Sequence, residues 1–347
     1  MYRKQLRAAA RTAALGGTLV LGLGSAQAAM AGSPVTVHVP CYPGALASAI
    51  SGASGGETIV LAPGCTYWLA VGLIDNDSQL TIVGEDSTLE RAPYASSLTL
   101  LKVSYGKTLT LDDVNFTNGG GSSEINGGAI YNHGTLTVNG GTFSDNRDGE
   151  YGGAINSYGI ISGTSLTVRD AYFTGNGSED GGAIDIGENS TATISDSTFS
   201  RNSTPGEYGG AIENDGSATI TGSSFLGNTG EYGGAIYNDG GLSTTDDTFT
   251  GNRGYEGGGI YNDGFRGGPI IPGDNALTAN RRYEGGGIVN DNDPPIKGGL
   301  TDDGSLIVFN AAYQGGGIFN GSCADFTLTG TTIFGNVTDN VYNSDDC

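Results

Sequence analysis

Histidine, cysteine and basic residues are scarce in this sequence, and each shortage removes a class of function. The 347 residues include 2 His, 4 Cys and 1 Trp, with 15 Lys and Arg against 37 Asp and Glu. A chain with this excess of negative charge repels nucleic acids and anionic membranes, so neither is expected as a partner. The cysteines show no CxxC spacing, which argues against a zinc site.

Long apolar runs are also missing, apart from one near the N-terminus. There a basic segment at residues 3–11 precedes an apolar stretch at 13–24 and an Ala-x-Ala sequence at 26–28. This order is typical of a secretory signal peptide over residues 1–28, whose apolar part is too short to span a membrane. Its removal would take away four positive charges and change the net charge from −22 to −26. We therefore expect a secreted, extracellular protein, free or associated with a cell surface.

The four cysteines form two pairs, each with a separation of 24 residues: Cys41 with Cys65, and Cys323 with Cys347. Four cysteines allow three connectivities. We favour the pairing of neighbours, which places one disulfide near each end of the exported chain, where disulfides persist. Each would close a loop of roughly one repeat and stabilise the fold by ~3 kcal/mol in the loop-entropy estimate.

Glycine, by contrast, is abundant, and it recurs in a regular motif. The 63 glycines include eight copies of Gly-Gly-(Ala/Gly)-Ile, here called the tetrad, at intervals of 24 to 30 residues. The fourth residue is always Ile, whereas the fifth varies among Tyr, Asn, Asp, Glu, Val and Phe. We predict that the isoleucines point into the core and that the fifth residues point outward. The isoleucines are Ile130, Ile155, Ile184, Ile212, Ile236, Ile260, Ile288 and Ile318.

A second motif lies between the tetrads and reads φ-x-φ-x-x-x-x-φ-x-x-Asn, where φ is apolar. Leu136, Val138, Phe143 and Asn146 form one copy. Alternation of apolar and polar residues predicts a β-strand. In the first copy, at residues 109–118, the Asn comes one place early.

Asparagine also recurs two residues after most of the tetrad isoleucines. Asn side chains stacked on successive coils can hydrogen-bond along the axis as a ladder. We expect such a ladder, with lapses at Ser157 and Ile186. Its members are Asn132, Asn214, Asn238, Asn262, Asn290 and Asn320.

Repeats of this size cannot bury their apolar residues alone, but coils stacked about 4.8 Å apart can. We therefore predict an all-β fold, a parallel β-helix or solenoid, in which like residues line up in columns. A propeller is the rival, but its blades need about 40 residues and antiparallel strands. A short capping helix is expected at residues 45–53, where Leu46 and Ile50 share one face. The expected divisions are a cap with the first coils at 29–107 and the repeats at 108–347.

The pairing of GGA(I) with FxxN resembles the repeats of chlamydial polymorphic outer membrane proteins, from about Phe116 to Asn336. The resemblance implies a right-handed β-helix with a role in adhesion, and the general crossover preference has the same hand. That family carries a C-terminal membrane barrel, which we do not expect here because the chain ends at Cys347. Residues 45–53 and the following ETIVLAPGCTYWL resemble the N-terminal cap of secreted β-helices of the pectin lyase-like superfamily.

Glutamate and tyrosine recur side by side just before the tetrads. Stacked on successive coils, they would form an acidic and aromatic stripe able to contact a sugar chain or hold Ca²⁺. The order changes from Glu-Tyr to Tyr-Glu along the chain, so we expect the stripe to be uneven. The stripe comprises Glu150, Tyr151, Glu207, Tyr208, Glu231, Tyr232, Tyr255, Glu256, Tyr283 and Glu284.

We expect a monomeric, non-catalytic protein that interacts with a polysaccharide or another cell-surface ligand and needs no cofactor, Ca²⁺ excepted. The alternative is a lyase or hydrolase of acidic polysaccharides that uses Asp and Arg residues of the less regular region 253–304 and its surroundings, such as Asp246 and Arg282. A structural coat component is the third interpretation. The Asp doublets, such as Asp246-Asp247 and Asp302-Asp303, are expected to be solvated turns. His133 is expected to be a turn residue.

Overall fold

Each pair of motifs forms one coil of three short strands, and the coils stack into a parallel β-solenoid of about 11 turns. The part of the chain that the structure describes contains one α-helix. The structure is a computed structural model. It describes residues 35–42, 44–121, 126–159, 163–263, 270–281, 283–291, 299–321 and 324–344. Within the described residues, no helix combines the length and the apolar character needed to cross a bilayer.

The elements of the described chain are numbered here from the N-terminus. They are β1 Thr36–Val39, α1 Ala45–Gly52, β2 Glu57–Leu61, β3 Thr66–Leu69, β4 Leu73–Asp75, β5 Leu80–Arg91, β6 Leu101–Val103, β7 Thr108–Thr117, β8 Ile130–Asn132, β9 Thr135–Asn139, β10 Thr142–Ser144, β11 Ile155–Ser157, β12 Thr164–Arg169, β13 Tyr172–Thr174, β14 Ile184–Ile186, β15 Ser190–Ser195, β16 Thr198–Ser200, β17 Ile212–Asn214, β18 Ser217–Thr221, β19 Ser224–Leu226, β20 Ile236–Asn238, β21 Gly241–Thr245, β22 Thr248–Thr250, β23 Ile260–Asn262, β24 Ile270–Gly273, β25 Ala276–Thr278, β26 Ile288–Asn290, β27 Gly299–Asp303, β28 Leu306–Val308, β29 Ile318–Asn320, β30 Asp325–Thr329, β31 Thr332–Phe334 and β32 Val341–Asn343.

Three faces run along the solenoid. The eight tetrad strands, together with β4, β6 and β32, form an 11-stranded parallel sheet, the tetrad face, which begins at β4 and ends at β32. The alternating strands, such as β12 and β15, and the Phe strands, such as β13 and β16, stack in the same way along the other two faces. The pairing is in register, so that Ile155 lies between Ile130 and Ile184. These parallel ladders confirm the solenoid and exclude the propeller.

The interior is built from columns of identical side chains. All eight tetrad isoleucines are fully buried, which confirms their predicted inward direction. On the Phe face, six buried phenylalanines stack with ring centroids 4.7–5.0 Å apart and planes within 11° of each other. They are Phe116, Phe143, Phe173, Phe199, Phe225 and Phe249.

The Asn of the FxxN motif hydrogen-bonds one coil to the next. The Asn228 amide donates to the carbonyl of Phe199 at 3.0 Å and to Asn252 Oδ1 at 3.1 Å. Its own Oδ1 accepts the backbone and side-chain amides of Asn202 at 2.9 and 3.1 Å. All its bonding capacity is therefore used inside the wall of the solenoid. Because these polar groups are buried, leaving any one of them without a hydrogen-bond partner would lower the free energy of unfolding.

This second Asn column, here called the FxxN ladder, extends further than the sequence motif indicated. Asn280 and Asn310 lie within region 253–304 and its flank, where the alternation decays, yet both make the same bonds. At the start, Asn118 is exposed in a left-handed conformation, and the amide of Gly119 donates to Asn146 Oδ1 instead. The Asn ladder of the tetrad face is confirmed from Asn214 to Asn320, with its lapse at Ile186.

Glycine is required at the tetrad because two backbones meet there. Gly209 has φ +63°, and a Cβ on it would lie 2.2 Å from the Ile212 carbonyl oxygen. A Cβ on Gly210 would lie 2.2 Å from the carbonyl oxygen of Gly234 in the next coil. The first position needs a left-handed backbone and the second needs a close approach between coils, and only Gly satisfies both without clash.

The N-terminal end is capped as expected. Helix α1 buries Leu46 and Ile50 against the first coils. The disulfide between Cys41 and Cys65 is present, with Cα atoms 5.8 Å apart. The second predicted pair, Cys323 with Cys347, and the predicted leader at residues 1–28 lie outside the described residues, and the domain divisions stay predictions.

We predict that Asn228→Ala destabilises the protein by roughly 4 kcal/mol, because it leaves the Asn202 amide and the Phe199 carbonyl buried without partners. Urea unfolding followed by circular dichroism measures the loss. The matched control is Asn189→Ala, since Asn189 is exposed and its side-chain amide donates to the Gly159 carbonyl at the surface. A loss for Asn228→Ala no larger than that of the control would contradict the role of the ladder.

Candidate functional site

The predicted stripe is two adjacent columns rather than one. In the first column, directly before the tetrads, successive residues pair from coil to coil, so that Tyr208, Tyr232 and Glu256 are neighbours. The second column lies one residue earlier in each coil and begins with Glu150. The exchange of Glu-Tyr for Tyr-Glu after the fifth tetrad therefore moves the carboxylates from the second column to the first. This confirms the expected unevenness.

Three exposed tyrosines of the second column stack on one another. The ring centroids of Tyr255 and Tyr283 are 5.3 Å apart, and those of Tyr283 and Tyr313 are 5.4 Å apart, with planes within 9°. Rings in this arrangement cover each other's faces and leave their edges and hydroxyls to solvent. The predicted stripe suggested that sugar rings stack on tyrosine faces. The faces that lie between neighbouring rings of this column are not available for such stacking.

The fifth residues of the tetrads are more buried than the sequence indicated. They point away from the core, but the first column covers many of them, as where Tyr208 packs on Tyr237 with centroids 4.5 Å apart. Val289 is 1 % exposed, and Asp185 and Glu213 are 4 % and 7 % exposed. An outward direction on the tetrad face therefore does not mean contact with solvent.

A cavity of about 480 Å³ opens over the fifth residues of four successive coils. Tyr131, Asn156, Asp185 and Glu213 occupy consecutive positions along it, because β8, β11, β14 and β17 pair in register. We call this space the acidic cavity. Its lining consists of Asn126, Tyr131, Tyr151, Asn156, Tyr158, Asp185, Gly187, Glu188, Glu213 and Asp215.

The carboxyls of Asp185 and Glu213 are neighbours on adjacent coils, which lie about 4.8 Å apart. Burial raises the pKa of both carboxyls well above the ordinary range. The neighbouring carboxylates raise both values further: Asp215 acts most on Asp185, and Asp185 acts most on Glu213. Among the described residues, Glu213 Oε2 and Asn156 Oδ1 are buried without a hydrogen-bond partner.

Two more carboxyls with raised pKa values stand near this pair. Burial raises the pKa of Asp148 and of Asp180 to about 6, although backbone amides donate to Asp148. Both contribute negative potential at Asp185. A positive group lies close to the cavity wall, since Lys102 Nζ is 5.4 Å from the ring centroid of Tyr131. The lining itself contains no Lys or Arg among the described residues.

The sequence contains a signal for this site in the fifth residues of the tetrads. Asp185 and Glu213 are the only acidic fifth residues, and they occur in consecutive tetrads. Stacking of the coils turns this break in the repeat into a carboxylate pair. The predicted stripe contributes Tyr151 to the cavity lining, whereas Glu150, Glu207 and the later members lie outside that lining.

The alternative enzyme site falls only partly within the described residues and stays a prediction. Asp246 is an exposed turn residue with φ 58°, and Arg282 lies outside the described residues. The expectation of solvated Asp doublets is wrong for Asp247 and Asp302, which are buried. Asp247 accepts the backbone amides of Ser223 and Thr245, which explains its burial.

His133 is buried in its turn, with its ring edge-on to Tyr131 at 4.1 Å. No three His, Cys, Asp or Glu side chains in the described ranges are grouped so as to ligate a metal. The proposed Ca²⁺ site therefore stays a prediction without a located position.

Comparison with known families supports the resemblance over a short stretch. Residues 222–239 match the Chlamydia polymorphic membrane protein (Chlamydia_PMP) repeat. The matched segment contains Phe225, Asn228 and the tetrad that ends at Ile236. Together with the solenoid, it fits a β-helix built from repeats of this type. Comparison with curated proteins gave no match.

We predict that the protein without ligand loses stability as pH rises from 5 to 8. Asp185 and Glu213 have raised pKa values in the folded state, so above the ordinary carboxyl pKa the folded protein binds more protons than the unfolded chain. Each such group lowers the free energy of unfolding by at most ~1.4 kcal/mol per pH unit between its unfolded and folded pKa. Thermal unfolding at pH 5, 6, 7 and 8 measures the slope.

The double variant Asp185→Asn/Glu213→Gln should show a shallower fall in melting temperature than the parent. Exposed Glu179 and Asp170 provide the matched control, Glu179→Gln/Asp170→Asn, which replaces the same two kinds of carboxyl outside the cavity lining. A melting temperature that rises with pH, or equal slopes in both variants, would contradict the protonated pair.

Proposed function

We propose that the protein is a surface-associated, non-catalytic repeat protein that binds a carbohydrate chain in the acidic cavity. The match to a polymorphic membrane protein repeat supports a surface or adhesin-like role. The leader at residues 1–28 supports export. Secretion, adhesion, a monomeric state and the likeness of the cap to pectin lyase-like proteins belong to this proposal.

The observation that carries the proposal is the composition of the acidic cavity. Tyr151 and Tyr158 are 39 % and 43 % exposed, so their rings can contact a ligand, and both stand outside the stacked tyrosine column. Asn126 and Asn156 add amide groups to the same wall. A concave site of a few hundred Å³ that combines aromatic rings with a few polar groups is typical of small-ligand recognition. Sugar rings present apolar faces and hydroxyl edges that suit both kinds of group.

A glycoside hydrolase is the second candidate function, and it is favoured by the Asp185 and Glu213 pair. Carboxyls about 5 Å apart, one protonated and one ionised, are the arrangement that retaining glycosidases use. Adjacent coils are spaced by a similar distance. This version of the enzyme hypothesis replaces Asp246 and Arg282 with residues that the fold brings together.

We predict that a panel of oligosaccharides contains ligands for the purified protein and that Tyr158→Ala weakens their binding about tenfold, or ~1.4 kcal/mol. A glycan array identifies the ligands, and isothermal titration calorimetry measures the affinity. Tyr313→Ala is the control, because Tyr313 is exposed but lies in the stacked column.

The same samples are assayed for new reducing ends, and none are expected. Turnover that Glu213→Gln abolishes would establish the hydrolase instead. The carbohydrate proposal is wrong if no glycan binds, or if Tyr313→Ala weakens binding and Tyr158→Ala does not.

A further inference from the structure

The acidic cavity buries two carboxyls among further acidic groups. Asp185 and Glu213 are more than nine-tenths buried, and Glu213 Oε2 has no hydrogen-bond partner among the described residues. Asp148, Asp180, Asp215 and Asp239 add further negative potential at one or both of them. A buried carboxyl oxygen without a hydrogen-bond partner, such as Glu213 Oε2, is costly, so a site that retains it is suited to a ligand that supplies a donor and a positive charge.

The acceptors suit an organic ammonium better than a metal ion. Metal-ligating groups of three acidic or histidine side chains are not found in the described ranges. Asp185 lies between Asn156 and Glu213 in the register of the tetrad face, so acceptor oxygens flank it on both sides along the axis. An ammonium group carries three donors and accepts nothing, which matches a lining whose buried unpartnered atoms include Asn126 Oδ1, Asn156 Oδ1 and Glu213 Oε2, all of them acceptors.

The aromatic wall favours the same class of ligand. Tyr131, Tyr151 and Tyr158 line the cavity, and the face of a tyrosine ring attracts a cation. The protein already shows this contact, since the ammonium of Lys102 lies 5.4 Å from the centroid of Tyr131. Rings that attract an ammonium and also pack on a sugar face are suited to a ligand that contains both.

We propose that the acidic cavity selects carbohydrates that carry a protonated amine, and that Asp185 and Glu213 receive the ammonium group of one amino-sugar unit. This inference rests on the proposed function, carbohydrate binding in the same cavity. The ligand inferred here is positively charged. An acidic polysaccharide is negatively charged and is repelled by the protein's net charge of −22.

Binding of the ammonium has a consequence for protons. In the empty cavity the pair retains protons at pH values where an ordinary carboxyl is ionised. The arriving ammonium favours the ionised form, so a carboxyl O–H bond breaks and the proton passes to the buffer. Affinity for the amino sugar should therefore rise between pH 5 and pH 7, and titrations in buffers of different ionisation enthalpy should detect the released proton.

The test compares three tetrasaccharides of equal length by isothermal titration calorimetry at pH 6.5: a glucosamine tetramer, its N-acetylated form and a galacturonic acid tetramer. We expect the glucosamine tetramer to bind at least tenfold more tightly than the N-acetylated form, and the galacturonic acid tetramer to bind least. Asp185→Asn/Glu213→Gln should weaken binding of the glucosamine tetramer at least tenfold.

A cationic sugar is also attracted by the overall negative charge of the protein. The variant Glu179→Gln/Asp170→Asn is the control for this effect, because it removes two exposed carboxyls outside the cavity lining. Equal losses in the two double variants would overturn the proposal. Melting temperatures of both variants confirm folding, and the cavity substitutions keep side-chain size.

The outcomes separate this inference from the function on which it rests. If the N-acetylated tetramer binds as tightly as the glucosamine tetramer, amine selection is wrong and carbohydrate binding stands. If none of the three tetramers binds and no other glycan does, both proposals fail. Affinity for the glucosamine tetramer that does not rise from pH 5 to pH 7 would also exclude ionisation of the pair on binding.

Discussion

In-register stacking of one coil on the next is the constraint on which the rest of the structure depends. The FxxN ladder enforces it, because each Asn side chain satisfies a backbone carbonyl of the preceding coil and both amides of that coil's Asn. A shift of one residue would orphan these buried groups and turn the isoleucines outward. The stacked phenylalanines and the close glycine contacts fit only this register.

The same register determines where function can arise. In a solenoid every position becomes a column, and a column of identical residues produces a uniform surface. The stacked tyrosines from Tyr255 to Tyr313 are such a surface. The acidic cavity arises where columns change: Asn156, Asp185 and Glu213 replace the Tyr found at Tyr131, Tyr237 and Tyr261 in the same column. Departures from local consistency are expected at functional sites.

Much of the fold could be predicted from the sequence, because positions that are apolar in repeat after repeat are the ones that the stacked coils bury. Invariant Ile130 and its equivalents, the alternating strands and the Cys41–Cys65 disulfide were predicted from pattern and spacing alone. The cavity could not be, because the burial of Asp185 depends on how the first column covers the tetrad face in three dimensions. Alternation in the sequence indicates whether a side chain points into or out of the solenoid. It does not indicate whether a neighbouring column of side chains covers it. The ladder positions Asn280 and Asn310 were missed because their coils lack regular alternation.

A cross-linking measurement tests the central claim, that stacking places Asp185 beside Glu213. In-register neighbours about 4.8 Å apart lie within the Cα separation that a disulfide spans, whereas residues offset by two positions exceed it. Asp185→Cys/Glu213→Cys should form a disulfide under mild oxidation, and peptide mass spectrometry should identify it. Asp185→Cys/Asp215→Cys, offset by two positions, should not. A cross-link in the offset pair, with none in the in-register pair, would contradict the stacking and the cavity built on it.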